Sequence, residues 1–145
     1  MDKAKSNTVV TSLEGFFKAL PPLPANAVTT LFKIAPWIAL VFGILGVLSG
    51  LAGFGILTVF APFAVAGGVH GYGLGFISAI GLAVSSLMML IAFPGLKAGK
   101  MNGWNMLFWS EVVSGVASLI GFSIGSVVGA LIGFYLLFQI KSRYK

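Results

Sequence analysis

Residues 34–96 read IAPWIALVFGILGVLSGLAGFGILTVFAPFAVAGGVHGYGLGFISAIGLAVSSLMMLIAFPGL, and no charged residue stands between Lys33 and Lys97. A helix on the surface of a soluble domain needs a charged or polar face, and this stretch has none. It fits two membrane spans joined by a glycine-rich turn. Pro36 is acceptable at a helix start, and Pro36 to Phe60 makes ~37 Å of helix, enough to cross a ~30 Å hydrocarbon core with tilt. The second span is expected from Gly73 to Phe93, ended by Pro94 and Gly95.

Composition widens the argument to the whole chain. Of 145 residues 58% are hydrophobic and 8% charged, against about 25% charged in an average soluble domain. That balance excludes a soluble enzyme, a nucleic-acid binder and a disordered tail. With no Cys there is neither a disulfide framework nor a thiolate metal site.

Trp104 to Gln139 is apolar except for Glu111, too long for one span and long enough for two short ones, 103–120 and 125–141, with Gly121 to Gly125 as a tight turn. Positive charge selects this threading. With four spans, the loops Ala61–Tyr72 and Gly121–Gly125 share a side that carries no Lys or Arg, and all nine basic residues lie on the other. That side is cytoplasmic by the positive-inside rule, so both termini are expected inside a plasma (inner) membrane. Three spans would put Lys141, Arg143 and Lys145 outside. Trp37 and Trp104 fall where an inner aromatic belt is expected. The expected fold is therefore an all-α membrane protein: a four-transmembrane-helix antiparallel bundle over 36–145, preceded by a cytoplasmic amphipathic segment over 1–35.

Within that segment Val9, Leu13, Phe16, Phe17 and Leu20 fall within about a 100° arc of a helix, with Glu14 and Lys18 off it. This face is expected to lie in the lipid interface or on the bundle, leaving Glu14 and Lys18 in water. Pro21, Pro22 and Pro24 stop the helix. Asn26 then caps a second, shorter helix carrying Val28, Leu31, Phe32 and Ala35 up to Pro36. Anionic lipids are the expected partners of the basic cytoplasmic face, at about 1 kcal/mol for each nearby Lys or Arg.

Small residues recur at every fourth position, as Gly71, Gly75, Ala79 and Ala83 in the second span and as Gly125, Gly129 and Gly133 in the last. This glycine-zipper spacing gathers each set on one face where helix backbones approach closely, within the chain or in a homo-oligomer. The opposite face of the last span, with Val127, Leu131, Phe134 and Phe138, is bulky and suits lipid.

Glu111 is the one ionisable residue inside the spans, about 12 Å from Gly103 along the helix. A bare carboxylate at that depth costs several kcal/mol, so it is protonated, paired or hydrated. It shares a stripe with Ser110, Ser114 and Ser118, and Ser85 and Ser86 lie at a matching depth as candidate hydrogen-bond partners. This candidate polar site is either an ion or proton relay or a structural carboxyl that sets helix register.

Other motifs carry no chemistry. Gly71-Tyr72-Gly73 lacks the pore helix of a potassium filter, and His70 has neither a second His nor a Cys to hold a metal with it. Gly95 to Lys100 is one residue short of a phosphate-binding loop and lacks its Ser or Thr. No catalytic residue, metal or cofactor is expected.

Phe93-Pro-Gly-Leu-Lys-Ala-Gly-Lys100, Gly103-Trp-Asn-Met-Leu-Phe-Trp-Ser-Glu111 and Ile132-Gly-Phe-Tyr-Leu-Leu-Phe-Gln-Ile-Lys141, with the entry Lys33-Ile-Ala-Pro-Trp37, resemble a family of small four-span bacterial integral membrane proteins of unknown function. The resemblance implies the same topology and a bacterial source, and it assigns no residue a role. The function expected from the residues is that of a non-enzymatic structural or interaction protein that packs or oligomerises through small-residue faces. The alternative is a small channel or proton-coupled transporter using Glu111.

Overall fold

The computed structural model describes residues 3–69, 72–120 and 124–145. Among these the chain is all-helical: α1 (Lys3–Lys18), α2 (Ala25–Ala66), α3 (Tyr72–Lys97), α4 (Met101–Ile120), α5 (Ile124–Ile140) and a terminal 3-10 turn at Lys141–Arg143. Among the described residues two helices, α2 and α3, are long and apolar enough to cross a membrane. His70, Gly71 and the 121–123 part of the expected last turn lie outside the described residues.

The expected break at Pro36 does not occur. α2 runs through both Pro36 and Pro62 over 42 residues, its N-cap is Pro24 rather than Asn26, and it ends at Ala66 rather than Phe60. α3 likewise continues through Pro94 to Lys97. A proline costs one backbone hydrogen bond and a ring clash, whereas ending a helix strands up to four carbonyls. Where water is scarce the single loss is the cheaper one. Breaking does occur at Pro21–Pro24, where three prolines follow closely and the free Leu23 N–H finds the Gln139 side chain at 3.3 Å. There is thus one short helix before the long ones, not two.

Neighbouring helices run in opposite directions. Leu57 meets Gly75 and Leu90 meets Gly43 across α2 and α3; Ala117 meets Gly81, and Gly103 meets Gly95, across α3 and α4; Glu111 meets Gly133 across α4 and α5. α5 also touches α2 and α1. Between α3 and α4, Gly99 adopts φ 66°, a left-handed conformation natural to glycine. It caps α3 through Gly99 N–H to Leu96 C=O and Lys100 N–H to Gly95 C=O. The C-terminus seals this turn: Met101 N–H donates to Lys145 C=O at 2.7 Å and Lys145 N–H to Gly99 C=O at 3.0 Å.

The core sits at the end of the molecule that holds the basic residues. Trp104 and Phe108 are fully buried among Ala92, Leu96, Leu137 and Ile140. Their rings stack at 5.5 Å, and Phe134 and Phe138 meet Phe108 edge-on at 5.6 and 5.9 Å. Toward the other end large apolar side chains lie open, Val65 at 77% and Ile124 at 81%.

Candidate functional site

α4 places Leu107 and Glu111 one turn apart on the same face, toward α5. There they floor a cleft of about 420 Å³ walled by Ile38 and Phe42 of α2, Met89 of α3, and Ile132, Gly133 and Leu136 of α5. Its rim is exposed, with Phe42 at 61% and Ile132 at 54%, so the cleft opens sideways between α2 and α5. Among the described residues Glu111 is its single ionisable lining residue. A Cβ placed on Gly133 would sit 3.1 Å from Cδ and from both carboxylate oxygens of Glu111. The carboxylate therefore lies against bare α5 backbone, a position any side chain would crowd. Among the described residues no hydrogen bond or ion pair reaches it.

The serines expected beside Glu111 are occupied elsewhere. Ser85 and Ser86 are buried, and each donates to Leu82 C=O on its own helix, at 3.0 and 2.6 Å. Ser110 donates to Leu107 C=O at 2.7 Å and Ser118 to Ser114 C=O at 2.8 Å. Ser114 remains half-buried on α4. In an apolar setting a hydroxyl satisfies itself on its own helix before reaching across a gap. The carboxylate and the serines therefore do not form one polar site.

The small-residue faces divide. Gly75 and Ala83 do meet α2, where a Cβ on Gly75 would lie 3.1 Å from Leu57 and one on Gly50 3.2 Å from Ala83; Ala79, between them, is half-buried. In the last helix Gly133 meets Glu111, but Gly125 and Gly129 are exposed, with nothing among the described residues within 4 Å of their Cβ positions. The bulky face expected to meet lipid is instead packed in part, since Phe134 and Phe138 join the aromatic core. An aromatic core gains more contact from a ring than from a glycine, and that sets the rotation of α5. The closest glycine approaches lie outside those two sets: Gly43, Gly46 and Gly50 on α2 seat Leu90, Ser86 and Ala83, and Gly95 and Gly103 bring two backbones together. The 43, 46, 50 spacing was the available sign.

Trp104 does not join an aromatic belt. It is buried, and its Nε1–H donates across to the Leu137 C=O of α5 at 2.9 Å. Trp37 is exposed, with Lys97 Nζ 5.7 Å from its ring centre. On α1, Phe17 is buried at 5% and stacks on Phe138 at 5.4 Å, with Val10 and Leu13 beside it. Val9, Leu20 and Phe16, the last at 66%, stay exposed. Lys18 is in water as expected, whereas Glu14 is part-buried, paired with Lys18 at 2.9 Å and with Lys141. Lys141 also lies 5.3 Å from the Trp104 ring centre. These contacts, with the C-terminal seal on Gly99 and Met101 and the 4.9 Å approach of Tyr144 to Phe32, gather Lys18, Lys33, Lys97, Lys100, Lys141, Arg143 and Lys145 at one end.

No protein-family model, curated protein or solved structure matches the chain.

Proposed function

We propose that the chain is a four-span protein of the bacterial plasma membrane, both termini cytoplasmic, that works without catalysis by holding a lipophilic partner in the cleft between α2 and α5. One observation carries the reading: the cleft is apolar except at its floor and opens sideways, toward where lipid would lie. Four spans are supported by helix length and by charge. α4, with 20 residues, makes about 30 Å, the thickness of a hydrocarbon core, and α5, with 17, makes about 26 Å, at the short end of what spans one. α2, with 42 residues, makes about 63 Å, so part of it lies beyond that core, and its one charge, Lys33, is near its start. The gathered basic residues mark the cytoplasmic end, where anionic lipid head groups are the expected neighbours.

Two measurements test this. Cys introduced at position 70 should be labelled from outside, and Cys at 99 only from inside; the reverse defeats the threading. A neutral apolar photolabel, adamantane diazirine, should mark Ile38, Phe42 and Leu136 above Leu48 and Leu51 in nanodiscs, although those two are as exposed or more so. Gly129→Phe, which fills the mouth of the cleft from a position with no neighbour within 4 Å, should abolish the excess. Uniform labelling would reject the cleft as a binding site.

Self-association is the second reading, favoured by the uncovered Gly125 and Gly129. Close approach of a second copy along α5 would cover them.

A further inference from the structure

We propose that the occupant of the cleft is a lipophilic organic cation with no N–H to donate, of the quaternary ammonium or phosphonium class, and that Glu111 is its counter-ion. This rests on the reading of the cleft as a binding site and adds the chemistry of the ligand.

The charge calls for a partner from outside. A carboxyl group withdrawn from water ionises at low cost only when a cation pairs with it, and α4 places one here with a glycine of α5 left open for it to lie against. Its positive partner does not come from the described part of the chain. Lys141 is held by Glu14 and the Trp104 ring, Arg143 reaches Thr29 at 3.4 Å, and Lys97 sits over Trp37 and Phe93. Among the described residues no basic side chain lines the cleft.

The surroundings choose among cations. A small hard ion such as Na⁺ or Ca²⁺ demands several oxygen ligands, six or more for Ca²⁺, and Glu111 offers only two, among apolar walls. A primary ammonium has three donors to satisfy and would leave some of them against Met89 or Leu107. A quaternary centre spreads its charge, needs no hydrogen bond and carries apolar groups that match the walls. The ring of Phe42 at the rim adds a face to which such a cation is attracted. The sideways opening admits an amphiphile already dissolved in the bilayer.

The test uses the full chain in nanodiscs of zwitterionic lipid and two probes of equal bulk and opposite charge, tetraphenylphosphonium and tetraphenylborate. Tetraphenylphosphonium should protect Ile38, Phe42 and Leu136 from adamantane diazirine, and tetraphenylborate should not. Glu111→Gln, nearly isosteric, should keep the neutral labelling and weaken tetraphenylphosphonium at least tenfold. Gly133→Ala, which crowds the carboxylate without removing it, should weaken it less. Equal protection by both probes, or unchanged tetraphenylphosphonium affinity in Glu111→Gln, would overturn the cation while leaving the apolar site standing. Absence of preferential labelling in the unsubstituted chain would remove the site itself.

Discussion

The crossing of α3 and α4 makes the sharpest demand on a single atom. A Cβ on Gly95 would lie 2.8 Å from Gly103 Cα and 2.9 Å from its N, where ordinary contact begins at 3.4 Å. Both are backbone atoms and cannot swing aside as a side chain would. Gly95→Ala must therefore push the two helices apart by about 0.5 Å or more. Trp104 follows Gly103 directly and Phe108 lies one turn on, both fully buried, so the separation opens the aromatic core. Overpacking of this kind costs about 1–3 kcal/mol. Gly55→Ala is the matched control, since nothing lies within 4 Å of its Cβ position and helix propensity favours alanine by about 0.5–1 kcal/mol. Thermal unfolding of the full chain in mild detergent, followed by circular dichroism, should show Gly95→Ala melting several degrees below the unsubstituted protein and Gly55→Ala at or above it. If Gly95→Ala melts unchanged, or both variants shift alike, the close backbone crossing is not what holds α3 to α4.

Three further outcomes are expected. The Lys141 and Lys18 ammonium groups hold the Glu14 carboxyl below its ordinary value of 4.5, so its contribution to seating α1 is whole above that pH and fades as pH falls through the lowered value. Protection of the amides of residues 8–18 from hydrogen exchange, taken relative to the intrinsic rate at each pH, should fall on acidification in the unsubstituted chain and be low with little pH dependence in Glu14→Gln; identical profiles would count against the ion pair. Trp104→Phe removes the indole N–H that the Leu137 carbonyl accepts, at about 0.5–1.5 kcal/mol, and should destabilise the chain in denaturant titration beyond Trp37→Phe at an exposed position. Gly125→Leu should lower the mass of the detergent-solubilised particle without lowering its melting temperature if α5 is an interface between copies, and a full-mass particle would dismiss that reading.

What could be read from the chain without coordinates was what depends on neighbours in sequence. The uncharged run from Ile34 to Leu96 sufficed for two long apolar helices, the three prolines after Leu20 for the end of α1, and the period of Leu13 and Phe17 for a face that packs. Glu111 stood out because it is the single charge between Lys100 and Lys141. Everything that required rotation about a helix axis was decided by tertiary structure. A helix apolar all round has no hydrophobic face to orient it, so the packing of Phe134 and Phe138 on Phe108 chose which side of α5 turned inward and which side lay open. The same packing drew Trp104 inward and placed Glu111 against Gly133. The Glu14–Lys141 pair spans 127 positions, and Ser85 and Ser86 resembled partners of Glu111 only while depth was known and direction was not. Continuation of α2 through Pro36 followed from the same source: the balance between one lost hydrogen bond and a broken helix depends on how little water reaches the backbone, which neighbouring helices decide.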